Sequence, residues 1–119
     1  MSLAISFFDP TVEDEDAAFR GMAEMPGDLF GWESWRGVWG SKELVKRGSK
    51  FLVHLKKSDL YVRPIDIHSF RIELESILSD STDIARALKI AEEDLQFHLH
   101  NALAACAHAE QKGLGVCIS

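Results

Sequence analysis

The sequence predicts an α+β domain: a small mixed sheet of about four short strands packed against helices, with a long C-terminal helix followed by a final strand. Three features of the 119-residue chain carry that expectation. Short apolar runs bounded by turn residues recur near residues 3–8, 50–56, 60–63 and 114–118. Apolar residues recur at helical spacing over residues 65–79, and again from Ile84 to near Lys112. Hydrophobic residues make up 46% and charged residues 27%, ordinary values for one globular domain, so residues 1–119 are read as a single unit.

Each element follows from local chemistry. Leu3 to Phe8 is a short apolar strand closed by Asp9-Pro10. Glu13 to Met25 reads as a helix. Asp9 or Thr11 is placed to cap it, and acids fill its first turn, where the helix dipole favours negative charge. Pro26-Gly27 ends it, and Asp28 is placed to cap the next helix, which carries Trp32, Trp35 and Trp39. Gly31, Gly37 and Gly40 weaken that helix by up to ~1 kcal/mol each, so it is expected to be short. Ser41 is placed to cap a further turn, and Gly48 to end it.

Phe51-Leu52-Val53-His54-Leu55 is apolar at nearly every position and reads as a strand buried on both faces. Lys56 to Asp59 is a turn, Leu60 to Arg63 a short strand, and Pro64 suits an edge strand or a first helical position. Ile67, Phe70, Leu74, Ile77 and Leu78 fall on one helical face. In the last helix the apolar positions are Ile84, Leu88, Ala91, Leu95, Leu99, Ala102, Leu103 and Cys106; Gly113 stops it before the closing strand.

Charge is polarised along the chain. Residues 1–35 hold eight acids and one base, residues 36–71 nine bases and three acids, and residues 72–119 eight acids and three bases, within a net charge of −6. An acidic protein whose basic stretch lacks interleaved aromatics is not expected to bind nucleic acid. No apolar run approaches the ~20 residues of a membrane span, and the N-terminal stretch lacks the basic region of a signal peptide. Two cysteines, Cys106 and Cys117, make no disulfide framework, so a cytoplasmic protein with reduced thiols is expected.

Catalytic and metal signatures are weak. The five histidines, His54, His68, His98, His100 and His108, show no ligand spacing for zinc, and there is no C-x-x-C. No cofactor or metal is therefore expected. The carboxylate groups Glu13 to Asp16, Glu73 with Glu75, and Glu92 to Asp94 read as solvated helix faces. An enzymatic alternative uses His54 or His68 as a general base with a nearby carboxylate.

Two features point to binding. Trp32, Trp35 and Trp39 lie at i, i+3 and i+7, which on one helix places all three rings on one side. Such a face is either the anchor of a small core or an exposed contact surface for a partner or a second copy in a homodimer. Asp9, Glu13, Asp14, Glu15 and Asp16 put five acids in eight residues, a strong field for a basic partner.

Two stretches carry a resemblance. One is Gly48-Ser49-Lys50-Phe51-Leu52-Val53-His54-Leu55 running into Ser58-Asp59, with Pro64 following. The other runs from Leu103-Ala104-Ala105-Cys106-Ala107 through Gly113-Leu114-Gly115-Val116-Cys117-Ile118. Together they resemble a bacterial polymorphic-toxin immunity family, the one numbered seventy. In that family a Gly-Ser-x-Phe strand leads into a Ser-Asp-Cys-Asp-Gly-x-Trp turn; here Ser58-Asp59 is followed instead by Leu60-Tyr61-Val62-Arg63. The resemblance implies a cytoplasmic α+β protein that neutralises a cognate toxin by direct binding, with no chemistry of its own.

Overall fold

The computed structural model describes residues 2–11 and 28–119. The helix expected over Glu13 to Met25 lies outside the described residues. Four strands form one sheet: β1 (Ser2–Phe8), β2 (Leu29–Trp32), β3 (Leu60–Val62) and β4 (Gly115–Ile118), in the order β2-β1-β4-β3. All three pairings are antiparallel, so the expected mixture of strand directions is corrected to an antiparallel sheet.

Register gives the sheet its apolar face. Leu3, Ile5 and Phe7 alternate inward along β1. Ile5 stands opposite Ile118 and Phe7 opposite Val116, while Leu60 and Val62 flank the same two residues from β3. The central pair is also closed at its end, where Ala4 and Ser119 exchange two backbone hydrogen bonds of 2.7 and 3.0 Å. On the other face, the Phe8 ring lies across Gly115. A Cβ there would meet that ring and stand 2.7 Å from the Val62 carbonyl oxygen of the neighbouring strand, so a larger residue would force the backbone to shift.

The helices are α1 (Arg36–Trp39), α2 (Lys42–Lys46), α3 (Ile67–Ser79), α4 (Ser81–Leu88) and α5 (Glu92–Lys112), with 3-10 turns at Glu33–Trp35, Leu52–Lys56 and Pro64–Asp66. α5 packs between the sheet and α3. It buries Leu95, Leu99, Ala102, Ala105, Cys106 and Ala109, small residues toward its C-terminal half that let neighbours approach closely. Burying Leu95 and Leu99 contributes roughly 1.5–3 kcal/mol each. α3 meets it with Ile67, Phe70, Leu74 and Ile77, as the periodicity predicts. Ser41 caps α2 through its Oγ, which accepts from the Leu44 N–H at 3.4 Å.

The long helix read from Ile84 onward is two helices. Lys89 adopts φ 56°, the Ile90 N–H donates to the Ala85 carbonyl at 3.0 Å and the Lys89 N–H to that of Arg86 at 3.4 Å. This is a left-handed helix terminator built on lysine rather than glycine. Across the bend, Thr82 Oγ1 donates to Glu92 at 2.7 Å and Gln96 Nε2 to Ser81 Oγ at 3.1 Å. Apolar spacing alone misses the break because the three-to-four-residue rhythm continues on both sides of it.

The strand expected at 50–56 is a 3-10 turn, and β2 at 29–32 supplies the fourth strand instead. Glu73, on α3, explains the first change. Its carboxylate accepts from the N–H groups of Lys50, Phe51 and Leu52 at 2.5–3.0 Å and from Ser49 Oγ at 3.0 Å. Successive N–H groups of a strand point to opposite edges, so one carboxylate captures three in a row only if the chain curls. The curled segment still buries Leu52 and Leu55, which are three residues apart and share a 3-10 face. Gly31 explains the second change. It adopts φ 104° beneath the Trp35 ring, a conformation no right-handed helix contains.

Glu73→Gln keeps the shape but loses the charge and one acceptor oxygen, and should lower stability by about 1–3 kcal/mol. Lys89→Gly relieves the left-handed lysine and should raise it by about 0.5–1 kcal/mol. Urea unfolding of both variants beside the parent chain measures each shift.

Candidate functional site

The three tryptophans do not share one helical face. Trp32 ends β2, Trp35 ends the following 3-10 turn, and Trp39 ends α1. Their environments differ accordingly. Trp39 is fully buried, Trp35 is half-buried, and Trp32 is 64% exposed. Trp39 stacks on Phe30 with ring centroids 4.2 Å apart, and its Nε1 donates to the Phe30 carbonyl at 3.1 Å. Trp35 tilts against Trp39 at 5.4 Å. Trp39 is thus a core residue and Trp32 a surface residue, at opposite ends of one segment.

His98, from α5, is the residue that sequence reasoning missed here. It is buried among aromatic rings, edge-on to Trp35 at 4.7 Å and to Phe97 at 5.5 Å, with Phe30 and Trp39 just beyond. Its Nδ1 lies 3.3 Å from the Leu29 carbonyl, which also accepts from Asn101 Nδ2 at 2.9 Å. A carbonyl only accepts, so Nδ1 carries the proton in this bond. Burial holds the imidazole below the ordinary histidine range, against the weaker opposite effects of the Leu29 bond and Asp94. The available signal was its place between Leu95 and Leu99 on the apolar side of α5.

The aromatic segment is tied to the 51–59 segment by Arg36. Its guanidinium donates to the carbonyls of Leu55 at 3.1 Å and Ser58 at 2.8 Å, pairs with Asp59 at 2.8 Å, and also pairs with Glu33. Ser58-Asp59, the turn singled out in the sequence, is therefore held from α1 rather than free.

Of the acidic group, Asp9 alone is described; Glu13, Asp14, Glu15 and Asp16 lie outside the described residues. Asp9 follows β1 and accepts from the Thr11 N–H at 2.9 Å and the Thr11 hydroxyl at 2.6 Å. These bonds hold its carboxyl below the usual range. Trp32 pairs with Ser2 at the opposite end of β1. The strand rise therefore separates Asp9 from Trp32 by roughly 20 Å. Asp28 caps no helix; its carbonyl accepts from the Ile5 N–H at 2.7 Å.

The histidine–carboxylate alternative needs a ring within reach of an acid in a pocket. His54 and His68 both lie on the open surface, and His68 Nδ1 is 3.1 Å from an Arg71 nitrogen rather than a carboxylate. Cys106 and Cys117 are free and buried, and burial pushes the Cys106 thiol up to about 12. Among the described residues no group of three His, Cys, Asp or Glu side chains is placed to hold a metal ion, and no helix is long and apolar enough to cross a membrane. No protein-family model, curated protein or solved structure matches the chain.

The lowered His98 pKa fixes a pH dependence. The unfolded chain takes up this proton near pH 6.5, and the folded chain only at lower pH. The contribution of His98 is therefore complete above about pH 6.5 and is lost as pH falls from there through the folded value. Asp9 and Glu43, whose carboxyls are also lowered, act in a separate window below about pH 4.5. Urea unfolding at pH 7.5 and 5.5 should show the loss in the parent chain and a flatter profile in His98→Gln. In the same assay Trp39→Ala should lower stability by about 3–5 kcal/mol and Trp32→Ala by less than about 0.5 kcal/mol.

Proposed function

We propose that the chain is a binding protein of immunity type, a cytoplasmic protein that neutralises a cognate toxin by direct contact. The observation that carries this reading is Trp32, 64% exposed at the end of a strand whose neighbouring rings are locked in the core. A tryptophan displayed on a rigid element offers a large contact area at little ordering cost, and tryptophan is enriched among interface residues that dominate affinity. Glu33 stands exposed beside it.

The acidic stretch has a different role in the same reading. At roughly 20 Å from Trp32 along β1, Asp9 begins a charged region that steers a basic partner during encounter. The Trp32 face then governs how long the complex lasts. The family resemblance in residues 48–59 and 103–118 supplies the toxin as the partner class.

An affinity-tagged chain recovered from its native cell should bring down one basic protein, encoded next to it. Trp32→Ala should speed dissociation from that protein with little change in association. Replacing Glu13 to Asp16 by their amides should slow association and flatten its salt dependence. Recovery of no partner contradicts the proposal. Recovery of the chain alone, sedimenting as a dimer that Trp32→Ala dissolves, reassigns Trp32 to self-contact.

A further inference from the structure

We propose that the cleft between residues 47–51 and α3 binds a small amphipathic carboxylate, an anion carried on an apolar body. The cleft has a volume of about 320 Å³, at the lower end of the range for small-molecule sites. It shares no residue with the Trp32 face and does not depend on the toxin reading.

Its walls combine two chemistries. Phe51, Ile72 and Ile77 supply apolar surface, and Ile72 is 52% exposed, an aliphatic group left in water beside a concave wall. Ser69 and Ser76 line the same wall and lie with Ile72 at spacings of three and four along α3, hence on one helical face. Neither hydroxyl has a hydrogen-bond partner among the described residues.

Three charged residues line the cleft, and two of them are already engaged. Arg47 pairs with Glu43 at 2.8 Å and Asp80 at 3.1 Å. Glu73 is occupied by the four donors of Ser49, Lys50, Phe51 and Leu52. The Lys50 ammonium has no carboxylate partner among the described residues. The lining's formal charge is thus positive, and its available charge is a cation at the rim of an apolar wall. That combination selects an anion with a hydrophobic body: Lys50 takes the carboxylate, Ser69 or Ser76 donates to it, and Ile72 and Phe51 cover the body.

Titration of the full chain with 4-phenylbutyrate, followed by proton–nitrogen correlation NMR, tests this. Saturable shifts should cluster at Lys50, Phe51, Ser69, Ile72 and Ser76. The neutral analogue 4-phenylbutan-1-ol should bind about three- to fivefold more weakly, the factor of an exposed ion pair. Lys50→Gln should reduce carboxylate affinity to that of the alcohol, and Ile72→Asp should abolish binding of both. Both side chains are exposed, and each variant's own spectrum reports whether it is folded. Absent or non-saturating shifts, shifts centred elsewhere, or equal affinity of the two ligands for the parent chain overturn the proposal; the last comparison needs no variant.

Discussion

The Glu73 carboxylate organises the middle of this protein. One side chain on α3 receives three consecutive backbone N–H groups and a serine hydroxyl from residues 49–52. That capture starts the 3-10 turn over Leu52–Lys56, which delivers Leu52 and Leu55 to the core and leaves the Leu55 and Ser58 carbonyls where Arg36 reaches them. Arg36 in turn fixes the aromatic segment against the turn before β3. Removing the carboxylate strands several partly buried donors at once, and an unsatisfied donor matters more than a satisfied bond adds.

A second set of polar contacts holds β2 from the helices. β2 is an edge strand, and an edge offers unpaired carbonyls to other chains. Here the Leu29 carbonyl accepts from His98 and Asn101 and the Phe30 carbonyl from Trp39. The His98 and Trp39 rings that make two of these bonds are buried. What remains displayed at that end is Trp32. One aromatic cluster thus runs from the buried Trp39 to the exposed Trp32.

The fold class was legible because it depends on periodicity. Three of the four strands and α3 follow directly from apolar spacing at Leu3–Phe8, Leu60–Val62, Gly115–Ile118 and Ile67–Ile77. Three errors have two causes: a long-range polar contact or a single backbone angle overrides the local pattern. Phe51–Leu55 has the composition of a buried strand, but Glu73, more than 20 residues away, takes its N–H groups. The tryptophan helix breaks at Gly31, whose φ of 104° no spacing rule reveals. Lys89 ends a helix with a residue rarely found in that role. The site was half legible. The sequence singled out Trp32, Trp35 and Trp39, but not that His98 divides them into core and surface, since a histidine on an apolar stripe has no local mark of its partners.

Amide hydrogen exchange tests the central interaction most directly. If Glu73 holds the segment, the Lys50, Phe51 and Leu52 amides exchange slowly and with similar protection, although Lys50 lies on the surface, and Glu73→Gln lowers the protection of all three together. Exchange of these three amides at the rate of an open loop, or protection that Glu73→Gln leaves unchanged, would contradict it.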